Sequence, residues 1–125
     1  MRVAANRVRA LALLAALSLL SGVWARGAYP SGTVVGWGDN AFHQTNVPAN
    51  VTNVVALAGG FYHGLALRAD GTVAAWGDGT YGQTNVPVGL VEAQAIAAGL
   101  YHSLALQNGS VIAWGRNNSG QARPR

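Results

Sequence analysis

Of the 125 residues half are apolar, 8 are Arg or Lys, 4 are Asp or Glu and none is Cys, so the chain makes one domain at most and is too apolar for a disordered tail. The missing Cys removes disulfides, thiolate nucleophiles and thiolate metal ligands together. Arg2, Arg7, Arg9 and Arg26 precede residue 27 and the other four Arg balance Asp39, Asp70, Asp78 and Glu92, which places the net charge of +4 at the front end and leaves little to neutralise a phosphate backbone; nucleic-acid binding is not expected.

The first element is a leader. Met1 to Arg9 is basic, Ala10 to Leu20 is uncharged and apolar, and Val23-Trp24-Ala25 is a small-residue exit, the three parts of a secretory signal peptide cleaved after Ala25. A membrane anchor is the competing reading, but the uncharged stretch from Ala10 to Ala25 has 16 residues, short of the roughly 20 that span a bilayer. The expectation is a signal peptide over 1–25, a repeat domain over 26–125, a secreted or periplasmic location, and membrane contact only in transit.

Beyond the leader the chain repeats itself. Val35-Gly36-Trp37-Gly38-Asp39 returns as Ala74-Ala75-Trp76-Gly77-Asp78 and as Ile112-Ala113-Trp114-Gly115-Arg116, at spacings of 39 and 38 residues. Gln44-Thr45-Asn46-Val47-Pro48 reappears as Gln83-Thr84-Asn85-Val86-Pro87, and Tyr62-His63-Gly64-Leu65-Ala66-Leu67 as Tyr101-His102-Ser103-Leu104-Ala105-Leu106. A fixed period of this size means a solenoid, a propeller or an array. Within one period Val54 to Ala58, Gly64 to Arg68 and Thr72 to Trp76 read as strands, the last two joined through Asp70-Gly71, whose counterpart is Asn108-Gly109; such pairs are the strongest short hairpin signal. A short fourth strand is expected near Thr45 to Val47, ended by Pro48. Four strands in about 40 residues make a propeller blade. The fold class is therefore all-β, with about two and a half blades and an incomplete ring.

These motifs, Ala-Gly-x-Tyr-His-x-Leu-Ala-Leu, Asp-Gly-Thr-Val, Ala-Trp-Gly-Asp and Gly-Gln-Thr-Asn-Val-Pro, resemble the regulator-of-chromosome-condensation (RCC1) repeat over residues 32 to 121. Spacing and the Gln-Thr-Asn-Val-Pro element are most similar to the exported bacterial branch, which includes a β-lactamase-inhibiting propeller. The resemblance implies a seven-bladed ring, which this chain cannot close by itself, and a protein partner met through the loops.

Catalytic and metal chemistry find little support. Gly77-Asp78-Gly79-Thr80-Tyr81-Gly82 matches a dinucleotide fingerprint, but Pro87 follows where a helix is needed. Neither His63 nor His102 has a neighbouring Cys or a spaced carboxylate to complete a metal site. Ser103 follows His102 directly and points to the opposite face of its strand, so the two are not nucleophile and base. No catalytic residue, metal ligand or cofactor is expected.

Residues unique to one period are available to a partner, since the in-phase ones build the blade. The loops after Trp-Gly and after Ala-Gly hold most of them, and the candidate partner-binding residues are Asp39, Phe42, His43, Phe61, Tyr62, Asp78, Tyr81, Leu100, Tyr101 and Arg116. By motif position the resemblance gives a partner-facing role to Tyr62, Tyr101, Phe42, Tyr81, Asp39 and Asp78; packing of Tyr62 and Tyr101 between blades is the competing reading. The function expected is an exported, non-enzymatic, protein-binding module, with self-association to complete a ring as a further expectation. The alternatives are a truncated or degenerate propeller fragment and, less favoured, a carbohydrate-active enzyme using loop carboxylates.

Overall fold

A computed structural model of the protein describes residues 2–5 and 32–123. Apart from Arg2–Ala5, the expected leader lies outside the described residues.

Among the described residues eight strands follow in chain order: β1 (Arg2–Ala5), β2 (Val34–Trp37), β3 (Val54–Gly59), β4 (His63–Arg68), β5 (Val73–Gly77), β6 (Ala93–Ala98), β7 (His102–Gln107) and β8 (Ser110–Gly115). They form one two-stranded sheet, β1-β2, and two three-stranded antiparallel sheets, β3-β4-β5 and β6-β7-β8. These are incomplete propeller blades in an open arrangement. Both hairpins form where Gly permits them: Gly71 has φ +81°, and Asn108 and Gly109 have φ +50° and +78°, the doubly positive pair of a tight hairpin turn. Asp70 fixes the first by accepting from the Thr72 amide at 2.9 Å.

The expected fourth strand at Thr45 to Val47 is not present. Its backbone is spent on tight turns, with the Asn46 amide donating to His43 and the Val47 amide to Thr45, and Pro48 follows without an amide hydrogen. The segment instead runs across the next blade, where the Gln44 carbonyl accepts from Trp76 Nε1 at 2.9 Å and, one period on, the Gln83 carbonyl accepts from Trp114 Nε1 at 2.9 Å. Each described blade therefore has three strands.

Strand alternation sorts the core into two layers. Ala66 and Trp76 face backward onto Val51 and Val54, while Leu65, Leu67 and Val73 face forward onto Ala105 and Trp114 of the next blade. Covered on both faces, β4 is buried from His63 to Leu67; β7 is fully buried only at Ser103 and Ala105, the backward face. The same logic separates the three in-phase tryptophans, since Trp76 and Trp114 are 5% and 7% exposed under the preceding repeat and Trp37 is 48% exposed.

β1 pairs with β2 in the register that β4 uses on β5. Arg2 stands opposite Trp37 as Gly64 does opposite Trp76, and Ala5 opposite Val34 as Leu67 does opposite Val73. It takes the place of a middle strand in the first, partial blade.

Candidate functional site

The loop after each Trp-Gly is held by a small polar bracket. Asp39 accepts from the Ala41 amide at 3.2 Å and from Gln44 Nε2 at 3.2 Å, while Gln44 Oε1 accepts from the Phe42 amide at 2.8 Å. One period on, Asp78 accepts from the Thr80 amide at 2.9 Å and from Gln83 Nε2 at 3.0 Å, and Gln83 Oε1 accepts from the Tyr81 amide at 2.9 Å. Gln44 and Gln83 are buried at 1% and 0% exposure, so the bracket is a rigid base that turns Phe42 and Tyr81 outward to 42% and 44% exposure. Asp39 and Asp78 thus brace their own loops, Asp78 from a buried position and Asp39 from an exposed one. Burial raises the Asp78 pKa, but the Thr80 hydroxyl and amide and the Gln83 amide outweigh it and hold the carboxyl below its usual range.

The loop after each Ala-Gly folds back by a hydrogen bond from Gly60 to the His63 carbonyl, and from Gly99 to that of His102, both at 2.9 Å. A side chain at Gly60 or Gly99 would run into the imidazole of His63 or His102. This turn presents Phe61 and Leu100, 50% and 61% exposed, with half-buried Tyr62 and Tyr101 beside them.

The two loop classes meet in a continuous aromatic row. Phe42 lies 4.3 Å from Tyr62 and Phe61 4.4 Å from Tyr62, between ring centres; Tyr62 lies 6.5 Å from Tyr101, and Tyr81 5.2 Å from Tyr101. The Arg116 guanidinium closes the row, 5.1 Å from the Tyr81 centroid and 5.6 Å from that of Tyr101. Six of the ten candidates are therefore joined, Phe42, Phe61, Tyr62, Tyr81 and Tyr101 ring to ring and Arg116 over the last two tyrosines, and Leu100 adjoins Tyr101 in the chain. His43 is not joined to them. It holds φ +60° where the other periods have Gly82 and Gly120, and its Nδ1 lies 3.2 Å from Asn46 Nδ2 of its own turn.

One pairing escaped sequence reasoning, which compared Ser103 only with its neighbour His102. Ser103 Oγ lies 3.0 Å from His63 Nε2 of the preceding blade and donates to the Gln83 carbonyl at 2.8 Å. Its hydrogen committed, the hydroxyl accepts from His63 Nε2–H. Both side chains are 0% exposed, so the pair pins two blades together rather than meeting a substrate. The signal was the in-phase difference between Gly64 and Ser103. Among the described residues, no cluster of three His, Asp or Glu is placed to hold a metal ion.

Burial pushes the His63 pKa down, with Asp78 opposing and His102 adding to the shift. The folded chain then takes this proton at a lower pH than the unfolded chain, so the stability from neutral His63 is complete above about pH 6.5 and is lost as the pH falls toward the folded value. Melts between pH 7.5 and 5 should show a falling Tm that His63→Gln flattens. An equally steep fall in the variant would contradict a buried neutral imidazole.

The family model described as the regulator of chromosome condensation (RCC1) repeat matches residues 54–83 and 93–121. No curated protein sequence matches the chain. Among solved structures, Prp20p from Saccharomyces cerevisiae, characterised for its binding to Gsp1p and histones, is 28% identical with a TM-score of 0.53 over 73% of this chain and 22% of that one. Yeast RCC1 (Prp20) bound to Kap60 is 27% identical, with a TM-score of 0.57 over 70% and 26% of the two chains. The ectodomain of the receptor kinase CR4 from Physcomitrella patens, 21% identical with a TM-score of 0.59 over 75% and 28%, shares the fold. The chain spans about a quarter of the length of these structures.

Proposed function

We propose, from the match of the two described blades to the RCC1 repeat, that the chain is an exported, non-enzymatic module that binds a protein partner through the aromatic row. The observation that carries this reading is the row itself, in which rings from four loops of successive repeats are brought into contact while Phe42, Phe61 and Tyr81 stay exposed. Exposed aromatics with an Arg alongside have the composition of an interface hot spot. The binding of Gsp1p, histones and Kap60 by yeast RCC1 supports a protein as the class of partner. Within that reading, the resemblance of the repeat motifs to the exported bacterial branch makes a β-lactamase a minor option for the partner.

The test is comparative capture from the producing cell's envelope and medium. The full chain should retain a partner that Phe42→Ala/Tyr81→Ala loses at least tenfold, with the melting temperature of the variant close to wild type. An unchanged captured set would overturn the reading.

Export is the second part of the proposal. N-terminal sequencing of the chain recovered outside the cytoplasm should begin at Arg26 or close to it; intact Met1 in a membrane fraction would favour the anchor. Removal of the leader takes β1 with it and uncovers the β2 edge.

A further inference from the structure

The third repeat departs from the other two at a residue that matters to the row. Its Trp-Gly is followed by Arg116, where the first two repeats have Asp39 and Asp78. The loop keeps its shape without the acid: the Ser119 amide still donates to Gln121 Oε1 at 2.8 Å, as Phe42 and Tyr81 do to their glutamines, and the Ala122 amide donates to Asn117 Oδ1 at 3.0 Å, as Thr45 does to Asn40. The reversal of charge is therefore not demanded by the turn. The guanidinium, released from bracket duty, lies over Tyr81 and Tyr101.

Two further facts bear on it. Arg116 Nε is buried and has no hydrogen-bond partner among the described residues, a condition that costs free energy. Asp39 and Asp78, the acids of the neighbouring loops, are held by their own glutamines and amides. The row thus ends in a cation over aromatic faces, and Leu100, the chain neighbour of Tyr101, is exposed. A guanidinium held over aromatic faces can still meet a carboxylate through its N–H donors.

Resting on the protein-binding reading above, we propose that the Arg116, Tyr81 and Tyr101 corner takes a carboxylate of the partner, from an acidic residue flanked by apolar side chains. Charge complementarity fixes the sign, and the rings and Leu100 fix the flanking chemistry. The probes are a tripeptide of leucine, glutamate and phenylalanine, blocked at both ends, and its glutamine counterpart, each titrated into the full chain while the Arg116 Nε–H and the Tyr81 ring are followed by NMR. The glutamate peptide should bind at least tenfold tighter, shift the Nε–H signal and lose that advantage in raised salt; Arg116→Gln should make the two peptides equal. Equal affinities in the wild-type chain overturn the carboxylate site, and so does an unperturbed Arg116. If capture still depends on Phe42 and Tyr81 in either case, the face stands and only this inference falls; if capture is indifferent to them, the reading beneath it falls as well.

Discussion

Trp76→Ala is expected to be the most damaging single change in the chain, costing about 3 to 5 kcal/mol, the penalty for emptying a buried aromatic site. The indole is 5% exposed, lies against Gly64 and donates to the Gln44 carbonyl of the preceding repeat, so its loss removes packing within the blade and the junction between repeats together. Trp37→Ala, in phase but 48% exposed, should cost far less, about 1 kcal/mol or under. At about 4 to 8 °C per kcal/mol for a domain of this size, melting curves separate the two variants. A Trp76→Ala protein that melts within a degree or two of wild type would show that the repeat junction is not the core.

The second large effect is on assembly. Trp76 and Trp114 are covered by the Gln44 and Gln83 segments of the repeats before them, and no described residue covers Trp37 in that way. The forward face of the last described blade is open in the complementary sense, with Leu104 and Leu106 only partly buried where Leu65 and Leu67 are covered. Arrays of this kind need caps or closure, and the two faces are halves of the junction already seen twice inside the chain. We propose that copies of the chain associate end to end through these faces, adding blades toward a ring. Light scattering at micromolar concentration should return a mass of several copies. A compact monomer with a cooperative melt would end this proposal without touching the loop face.

Much of the architecture was legible because the repeat reports itself. Trp-Gly, Tyr-His-x-Leu-Ala-Leu and the Asp-Gly or Asn-Gly pairs located the three strands and the hairpin of each blade. The supposed fourth strand was misread because Thr45 to Val47 has a β-prone composition, whereas its amides are taken by turns and the Gln44 carbonyl just before it by the next blade's indole. Recurrence also hid function of another sort: Gln44 and Gln83 were seen as motif letters, yet they are the buried base on which Phe42 and Tyr81 stand. The carboxylates beside them, expected at the partner's side, also brace this bracket. Proximity across blades, as between His63 and Ser103, is set by the stacking of repeats and has no local sequence signature.

The most direct test of the central claim is an amide hydrogen-exchange footprint of the chain with its captured partner. Protection should appear in the loops over 39–43, 60–62, 78–81, 100–101 and 116–119, and the hairpin turns over 69–72 and 108–110, at the opposite end of the strands, should exchange as in the chain alone. Protection confined to the hairpin turns, with the aromatic loops unchanged, would contradict the assignment of the aromatic row as the binding face.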